Sequence, residues 1–186
     1  MFGVSLWQKS ILQDMSRMKK LFRYIIYVSL PVLICGFFIP QDLKMPVEGA
    51  SRNSYDQRSF WYYPWGKSVT HKGVDIFAKK GTNVHSATNG LVVYTGEMGR
   101  GGNVVLVLGP KWRIHYYAHL DAFNTSKGCW VNHDNIIGKV GNTGNAAGKP
   151  SHLHYSIITL VPYPWLADLS HQGIMKIFYL NPIQYL

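Results

Sequence analysis

Four polar side chains in this chain have the types and the spacing of a catalytic metal site. His71 and Asp75 form the pattern H-x-x-x-D, and His152 and His154 form the pattern H-x-H much later in the chain. Zinc favours imidazole nitrogen and carboxylate oxygen, and a catalytic zinc site keeps three protein ligands and one open position for water. His71, Asp75 and one histidine of the later pair would complete that ligand set.

This ligand set predicts hydrolytic chemistry. A divalent ion held by two neutral imidazoles and one carboxylate keeps a net positive charge. It therefore lowers the pKa of its bound water from ~15.7 towards ~7 and polarises a substrate carbonyl. Amides and esters are the bonds that such a site hydrolyses. One histidine of the H-x-H pair can bind the metal while the other transfers protons.

Strand geometry would bring both histidines of the H-x-H pair to one groove. Residues two apart on a β-strand point to the same face of the sheet. The segment from His152 to Ile158 has the composition of a strand. If it forms one, His152 and His154 enter the groove while Leu153 enters the core.

A second alternating segment, residues 111–120, predicts another strand beside the groove. Strict alternation would place His115, Tyr117 and His119 on one face. Histidine titrates near pH ~6.5, which suits His119 to acid–base catalysis or to hydrogen-bonding an oxyanion. His115 shares that expected face, so it is a candidate partner that orients a groove residue. For His85, His115, His133 and His171, an ordinary structural role in the core or on the surface is more usual than a role in chemistry.

The surrounding motifs occur in unbroken order between residues 60 and 160. They are H-K-G-V-D at 71–75, N-G-L-V-V at 89–93, Y-A-H-L at 117–120, G-N-T-G-N-A at 141–146 and H-L-H at 152–154. This series, which includes turn glycines as well as metal residues, resembles the LytM/lysostaphin-type zinc peptidases, the M23 peptidase family.

The resemblance implies a ligand set and two further catalytic residues. It makes His71, Asp75 and His154 the ligands of one zinc ion per chain. It makes His119 and His152 the non-ligand histidines that orient the water, accept its proton and stabilise the tetrahedral intermediate. The implied reaction is endopeptidase cleavage of the peptide cross-links of bacterial peptidoglycan. The family includes enzymes for D-alanyl cross-links and enzymes for glycine bridges, and no motif here separates them.

Other functions remain compatible with the sequence. A non-catalytic relative can bind the wall or activate another hydrolase, although this chain retains all five motif residues. An active enzyme can also be secreted to lyse foreign cell walls. In the stretch 126–138, Cys129 and Trp130 replace small polar residues usual in the family, which leaves the shape of the nearby cleft open. The sequence also leaves open whether the enzyme depends on a protein activator.

The composition of residues 60–160 predicts an all-β, mostly antiparallel sheet domain with an active-site groove. Short Val/Ile/Leu/Tyr runs, such as 90–95 and 103–108, alternate with Gly/Asn/Lys breaks, and no long stretch has helical periodicity. About a hundred residues can bury a core without disulfides. Cys35 and Cys129 are poorly placed to pair, and we expect Cys129 to be free and partly buried.

The N-terminal segment predicts a location at the cytoplasmic membrane. Residues 24–39 are uncharged and largely apolar, as in a signal sequence or a spanning helix. No small-residue cleavage site follows directly, so we expect one transmembrane signal anchor at 24–40. Basic residues before it keep 1–23 in the cytoplasm and place the domain in the periplasm or extracytoplasmic space. Cleavage would instead give a secreted enzyme, and a start at Met18 would shorten the cytoplasmic part.

The flanks of the domain are expected to be irregular. Residues 41–59 contain proline and glycine and predict a flexible linker with a root-mean-square span of ~25 Å. Residues 161–186 predict a C-terminal extension that packs on the domain or forms one wall of the cleft. The net charge of +10 suits an anionic wall polymer but also describes a solvated basic surface. No nucleic-acid motif accompanies it, so nucleic acid is not an expected partner.

Overall fold

The computed structural model describes residues 6–186, which form two compact units that meet between Ile39 and Pro40. The first unit is helix α1, Leu6–Phe38. Within its segment Gln13–Phe38, an 18-residue stretch has a mean hydropathy of 1.9, and the segment is long and apolar enough to cross a membrane.

Helix α1 begins well before the apolar segment that was expected at 24–40. The residues before that segment are mostly Leu, Met, Lys, Gln and Arg, which are good helix formers, so the helix includes part of the region expected at 1–23. Residues 1–5 of that region lie outside the described residues. Pro31 is accommodated inside the helix.

The second unit is built from antiparallel strands in two sheets. The larger sheet has the order β1-β9-β5-β4-β3-β7, with β10 also paired to β9, and the smaller sheet has the order β2-β8-β6. In chain order the strands are β1 (Val74–Phe77), β2 (Asn83–His85), β3 (Gly90–Glu97), β4 (Asn103–Gly109), β5 (Arg113–Leu120), β6 (Ala122–Phe123), β7 (Trp130–Val131), β8 (Ile136–Lys139), β9 (His152–Thr159) and β10 (Tyr179–Leu180).

One hydrophobic core joins the two sheets. Alternate residues of the large sheet point into it, as the period of two requires, and apolar residues of the small sheet cover them. The all-β, mostly antiparallel domain predicted from the short apolar runs is therefore confirmed. The buried residues include Val92, Val105, Val107, Tyr117, Leu153 and Ile157 from the large sheet and Val84 and Ile137 from the small sheet.

Strand β5 departs from regular alternation near its end. Its pairing with β4 is irregular between Tyr117 and Leu120, and His119 has a φ of 64°. Such a backbone conformation is uncommon for a residue other than glycine and redirects the side chain. Tyr117 and His115 are buried in the core, whereas Tyr116 and His119 line a groove on the other side. The prediction that His115, Tyr117 and His119 share one face is therefore wrong for His119.

His115 belongs to a buried polar network in the core. Its Nδ1 lies 2.6 Å from the Tyr155 hydroxyl, and its Nε2 lies 3.0 Å from the Gln41 side-chain nitrogen. Gln41 also accepts a hydrogen bond from Arg113. Burial, with a smaller effect of the Arg113 charge, lowers the pKa of His115 to about 3, so its ring is neutral. The idea that His115 orients a groove residue is wrong, because both of its nitrogens are engaged in the core.

The segment 41–59 is packed on the domain and is not a flexible linker. The Glu48 amide donates to the Asn83 carbonyl at 3.1 Å, and Val47 forms an isolated bridge with Val84. Only 1% of Val47 is exposed. The prediction failed because proline and glycine suggested disorder, whereas the apolar residues between them complete the core.

The C-terminal segment 161–186 also packs on the domain. Strand β10 pairs with β9 and extends the large sheet, and Leu180 joins the core. Both cysteines are free and exposed, so the expected partial burial of Cys129 is wrong. Cys129 lies in the turn immediately before β7, which leaves its side chain in solvent.

Candidate active site

A groove of about 620 Å³ lies against the large sheet. The five residues expected to carry the chemistry all line it, and they come from three separate parts of the chain. Aromatic and basic side chains surround them. The five residues are His71, Asp75, His119, His152 and His154.

Three of these side chains meet at one point. Asp75 of β1 lies directly opposite His154 of β9 in the antiparallel register, and His71 lies in the loop before β1. His71 Nε2 is 3.0 Å from Asp75 Oδ1 and 3.2 Å from His154 Nδ1. His154 Nδ1 is 2.7 Å from Asp75 Oδ1. Two imidazole nitrogens and a carboxylate oxygen thus converge, which is the donor set that zinc prefers.

Hydrogen bonds at the far side of each ring fix which nitrogen faces the cluster. His71 Nδ1 lies 3.0 Å from the Ser59 carbonyl, which can only accept, so Nδ1 carries the proton and the Nε2 lone pair faces the cluster. His154 Nε2 lies 3.0 Å from the Ser156 hydroxyl, which can donate or accept, and this contact turns Nδ1 towards the cluster. A cation at the centre of the cluster fits the carboxylate and the two ring nitrogens that face it.

The charges within the cluster favour an ionised Asp75 carboxylate. Burial raises the pKa of Asp75, but the contacts of its Oδ1 with the His154 and His71 rings outweigh burial and hold that pKa far below its usual range. Burial lowers the pKa of His154, and its contact with Asp75 opposes this only in part. An anionic carboxylate with neutral imidazoles is the protonation state that a metal ion requires.

The cluster is packed tightly by neighbours outside the predicted set. The Trp65 ring stacks on His71 with a centroid separation of 4.1 Å. At Gly73, an added Cβ would lie 2.4 Å from Ser156 Oγ and 2.9 Å from His154 Cε1. The glycine of the H-K-G-V-D motif is thus required for space beside the ring of His154.

His119 and His152 lie next to the cluster and face each other with a ring separation of 5.0 Å. His119 Nδ1 is 2.9 Å from the Thr143 carbonyl, and His152 Nδ1 is 2.8 Å from the Pro150 carbonyl. Because carbonyls only accept, each ring carries its proton on Nδ1 and presents Nε2 as a proton acceptor. His152 Nε2 lies 3.8 Å from Asp75 Oδ2.

The environment of His119 favours the neutral form of its ring. Burial is the largest cause that lowers its pKa to about 4, and the nearby His154 and His152 rings add to the effect. The hydrogen bond to the Thr143 carbonyl and the charge of Asp75 oppose it. His119 is therefore neutral near pH 7 and able to accept a proton.

The remaining histidines lie elsewhere. His85 is on β2 of the small sheet, and His171 stacks on Tyr63 at 3.6 Å. Sequence reasoning missed Trp65 and Arg100 as groove residues. No local pattern identifies them, because tertiary packing alone brings them to the groove.

The model of the protein family described as peptidase family M23 matches residues 69–162. This chain belongs to peptidase family M23. The matched residues include the whole cluster and both neighbouring histidines, and they end just after β9. Membership was expected from the order of the motifs and is confirmed.

Two named endopeptidases are similar to this chain. The peptidoglycan DD-endopeptidase ShyA of Vibrio cholerae is 33% identical over 118 residues, which are 62% of this chain and 26% of ShyA. The glycyl-glycine endopeptidase ALE-1 of Staphylococcus capitis is 32% identical over 112 residues, 58% of this chain and 30% of ALE-1. The chain thus spans less than a third of either relative.

A solved M23 structure shows the same fold. The catalytic domain of the antimicrobial peptidase lysostaphin from Staphylococcus simulans superposes with a TM-score of 0.56 at 26% identity, covering 72% of this chain and 92% of that domain. The similarity extends beyond the 69–162 match, in line with the packing of the flanking segments on the sheets.

Proposed function

We propose that this chain is a zinc-dependent endopeptidase that hydrolyses peptide cross-links of bacterial peptidoglycan. The observation that carries the proposal is the convergence of His71, Asp75 and His154, whose ring nitrogens and carboxylate oxygen lie within 3.2 Å of one another. Membership of a peptidase family, together with similarity to a peptidoglycan DD-endopeptidase, supports the substrate class.

In this proposal His71 Nε2, Asp75 Oδ1 and His154 Nδ1 hold one zinc ion. Bound zinc would supply an acidified water and a Lewis acid for the scissile carbonyl. The carboxylate offsets part of the ion's charge and leaves a net positive site, which attracts the carbonyl oxygen. Ser59 and Ser156 hold the two imidazoles in the orientation that ligation needs.

His119 and His152 manage the protons in this proposal. Each presents a bare Nε2 to the groove, so each can accept a proton from the attacking water or hydrogen-bond it in position. A ring that has taken this proton becomes a cation. It then stabilises the negative charge that develops on the carbonyl oxygen and returns the proton to the leaving amine.

We further propose that α1 anchors the enzyme in the cytoplasmic membrane, with the domain on the outer side where peptidoglycan lies. The length and hydropathy of Gln13–Phe38 support a span. The basic residues that precede the apolar segment support an inside N-terminus. Recovery of the full-length mass from alkali-washed membranes supports the anchor, whereas a shortened soluble form shows cleavage.

The test of the activity is digestion of purified peptidoglycan by the full chain in detergent, with zinc and with a chelator. We expect zinc-dependent loss of cross-linked fragments, identified by mass. His85→Gln, a histidine change on β2 outside the groove, serves as the matched control and should digest normally. Stoichiometric zinc without any cleavage would contradict the proposal and favour a non-catalytic wall-binding or hydrolase-activating protein.

A further inference from the structure

The groove carries positive charge that the metal cluster does not use. The acidic residue in its lining is Asp75, which lies at the centre of the cluster. Within residues 6–186, no ion pair includes any of the basic residues that line the groove. Those basic residues are Lys67, Lys72, Arg100 and Lys149.

Three of these cations are exposed and available to a ligand. The Arg100 guanidinium donates to the Lys67 carbonyl at 3.1 Å, which keeps these two residues together at one part of the rim. Lys149 immediately precedes Pro150, whose carbonyl orients His152. An anion bound in the groove would therefore meet positive charge close to the proposed catalytic histidines.

Lys72 contributes in a different way. It is half-buried, and its ammonium donates to the Ser68 carbonyl at 3.1 Å, to Thr70 Oγ1 at 3.2 Å and to Gln172 Oε1 at 2.6 Å. All three acceptors are neutral, and an ammonium has three donors. Its charge therefore remains uncompensated while its hydrogen bonds are filled, so it adds to the field of the groove without binding a ligand directly.

We propose that this groove selects peptide cross-links that carry a free carboxylate beside the scissile bond, in preference to uncharged links such as a glycine bridge. The inference rests on the proposed function and names its substrate class. A carboxylate gains from the unpaired cations, whereas an uncharged bridge offers them no counter-charge. Exposed cations attract an anion without a large desolvation cost of their own.

The test uses the zinc-loaded full chain in detergent and two synthetic cross-linked peptides. The peptides differ in one group beside the scissile bond, which is a free carboxylate in one and its amide in the other. We expect kcat/KM for the carboxylate to be about tenfold higher at low salt, and the preference to shrink at about 0.5 M salt. A pentaglycine peptide should be cut no faster than the amide.

Variants connect the preference to the residues. The triple variant Lys67→Met, Arg100→Met, Lys149→Met should lower the rate on the carboxylate to that on the amide. One bound zinc ion and a wild-type unfolding midpoint would show that the triple variant is folded. Lys127→Met is the matched control, since Lys127 is exposed and lies outside the groove lining, and it should keep the preference.

Three outcomes would count against the inference. Equal wild-type rates on carboxylate and amide overturn the selection while leaving the endopeptidase intact. A preference that survives in the triple variant overturns the role of these cations. Cleavage of neither peptide, with one zinc bound, contradicts the proposed function itself and the selection with it.

Discussion

Buried histidines occur on both faces of the large sheet, and their surroundings differ. On the core face, His115 has both nitrogens filled by Tyr155 and Gln41. On the groove face, the nitrogens of His71 and His154 converge on one oxygen of an ionised carboxylate. A closed network of neutral partners stabilises a fold, whereas a set of converging electron pairs binds a cation. The comparison teaches that the partners of a histidine, more than its burial, indicate its role.

The largest expected effect comes from removing the anion of the groove cluster. Asp75→Asn should abolish zinc binding and lower activity by roughly a thousandfold or more, since the loss of the charged ligand removes the ion that supplies the Lewis acid. Zinc content by atomic absorption, measured beside peptidoglycan digestion, checks both. Stoichiometric zinc in the Asn variant would show that the cluster is not the metal site.

The next effect separates ligands from proton carriers within the groove. His119→Ala and His152→Ala should each lower kcat by about a hundredfold to ten-thousandfold, as expected for the loss of a general acid–base group, with zinc retained. Metal analysis and turnover on the same samples test this. Unchanged hydrolysis by His119→Ala would remove it from the mechanism, and loss of zinc from His152→Ala would make it a ligand.

A smaller effect is expected on the core face, and it should alter stability without altering chemistry. His115→Phe leaves the Tyr155 hydroxyl and the Gln41 amide without their partner, which should cost about 1–3 kcal/mol for each buried group left unpaired. Urea unfolding measures that loss. Zinc content and kcat/KM at a temperature where the variant is folded should match the wild type, and a drop in either would connect the core network to the groove.

The pH dependence of stability gives the smallest effect. The folded-state pKa of His115 is about 3, below its ordinary value, so the unfolded chain binds the proton first as pH falls. The contribution of neutral His115 to the free energy of unfolding is full above about pH 6.5 and is lost progressively towards pH 3. Between pH 7 and pH 5, the zinc-free wild type should lose about 2 kcal/mol more than zinc-free His115→Phe. The same loss in both proteins would mean that His115 takes up its proton as readily in the folded state as in the unfolded one, so that its pKa is not lowered.

Local sequence signals predicted the fold class because short Val/Ile/Leu runs and a hydrophobic period of two indicate a strand, whichever strand it pairs with. The H-x-x-x-D and H-x-H patterns, together with the resemblance to the M23 peptidases, singled out the five polar residues that line the groove. The period of two failed at His119, where a positive φ redirects the side chain, and composition failed at 41–59, where Val47 enters a core that only the folded sheets create. The contacts of Trp65 and Gln172 depend on tertiary packing, so no local pattern reveals them.

Gly73 extends the mutational sensitivity of the groove to a residue with no side chain. The space that its Cβ would occupy is already filled by Ser156 and the His154 ring, and the Tyr155 carbonyl lies 2.5 Å away. Because that carbonyl belongs to the backbone, even alanine must displace the strand that carries His154. A screen of all substitutions for activity should therefore find position 73 as intolerant as the residues of the cluster. Intolerance alone will not distinguish a residue that donates an electron pair to a metal from a glycine whose missing side chain leaves space for its neighbours.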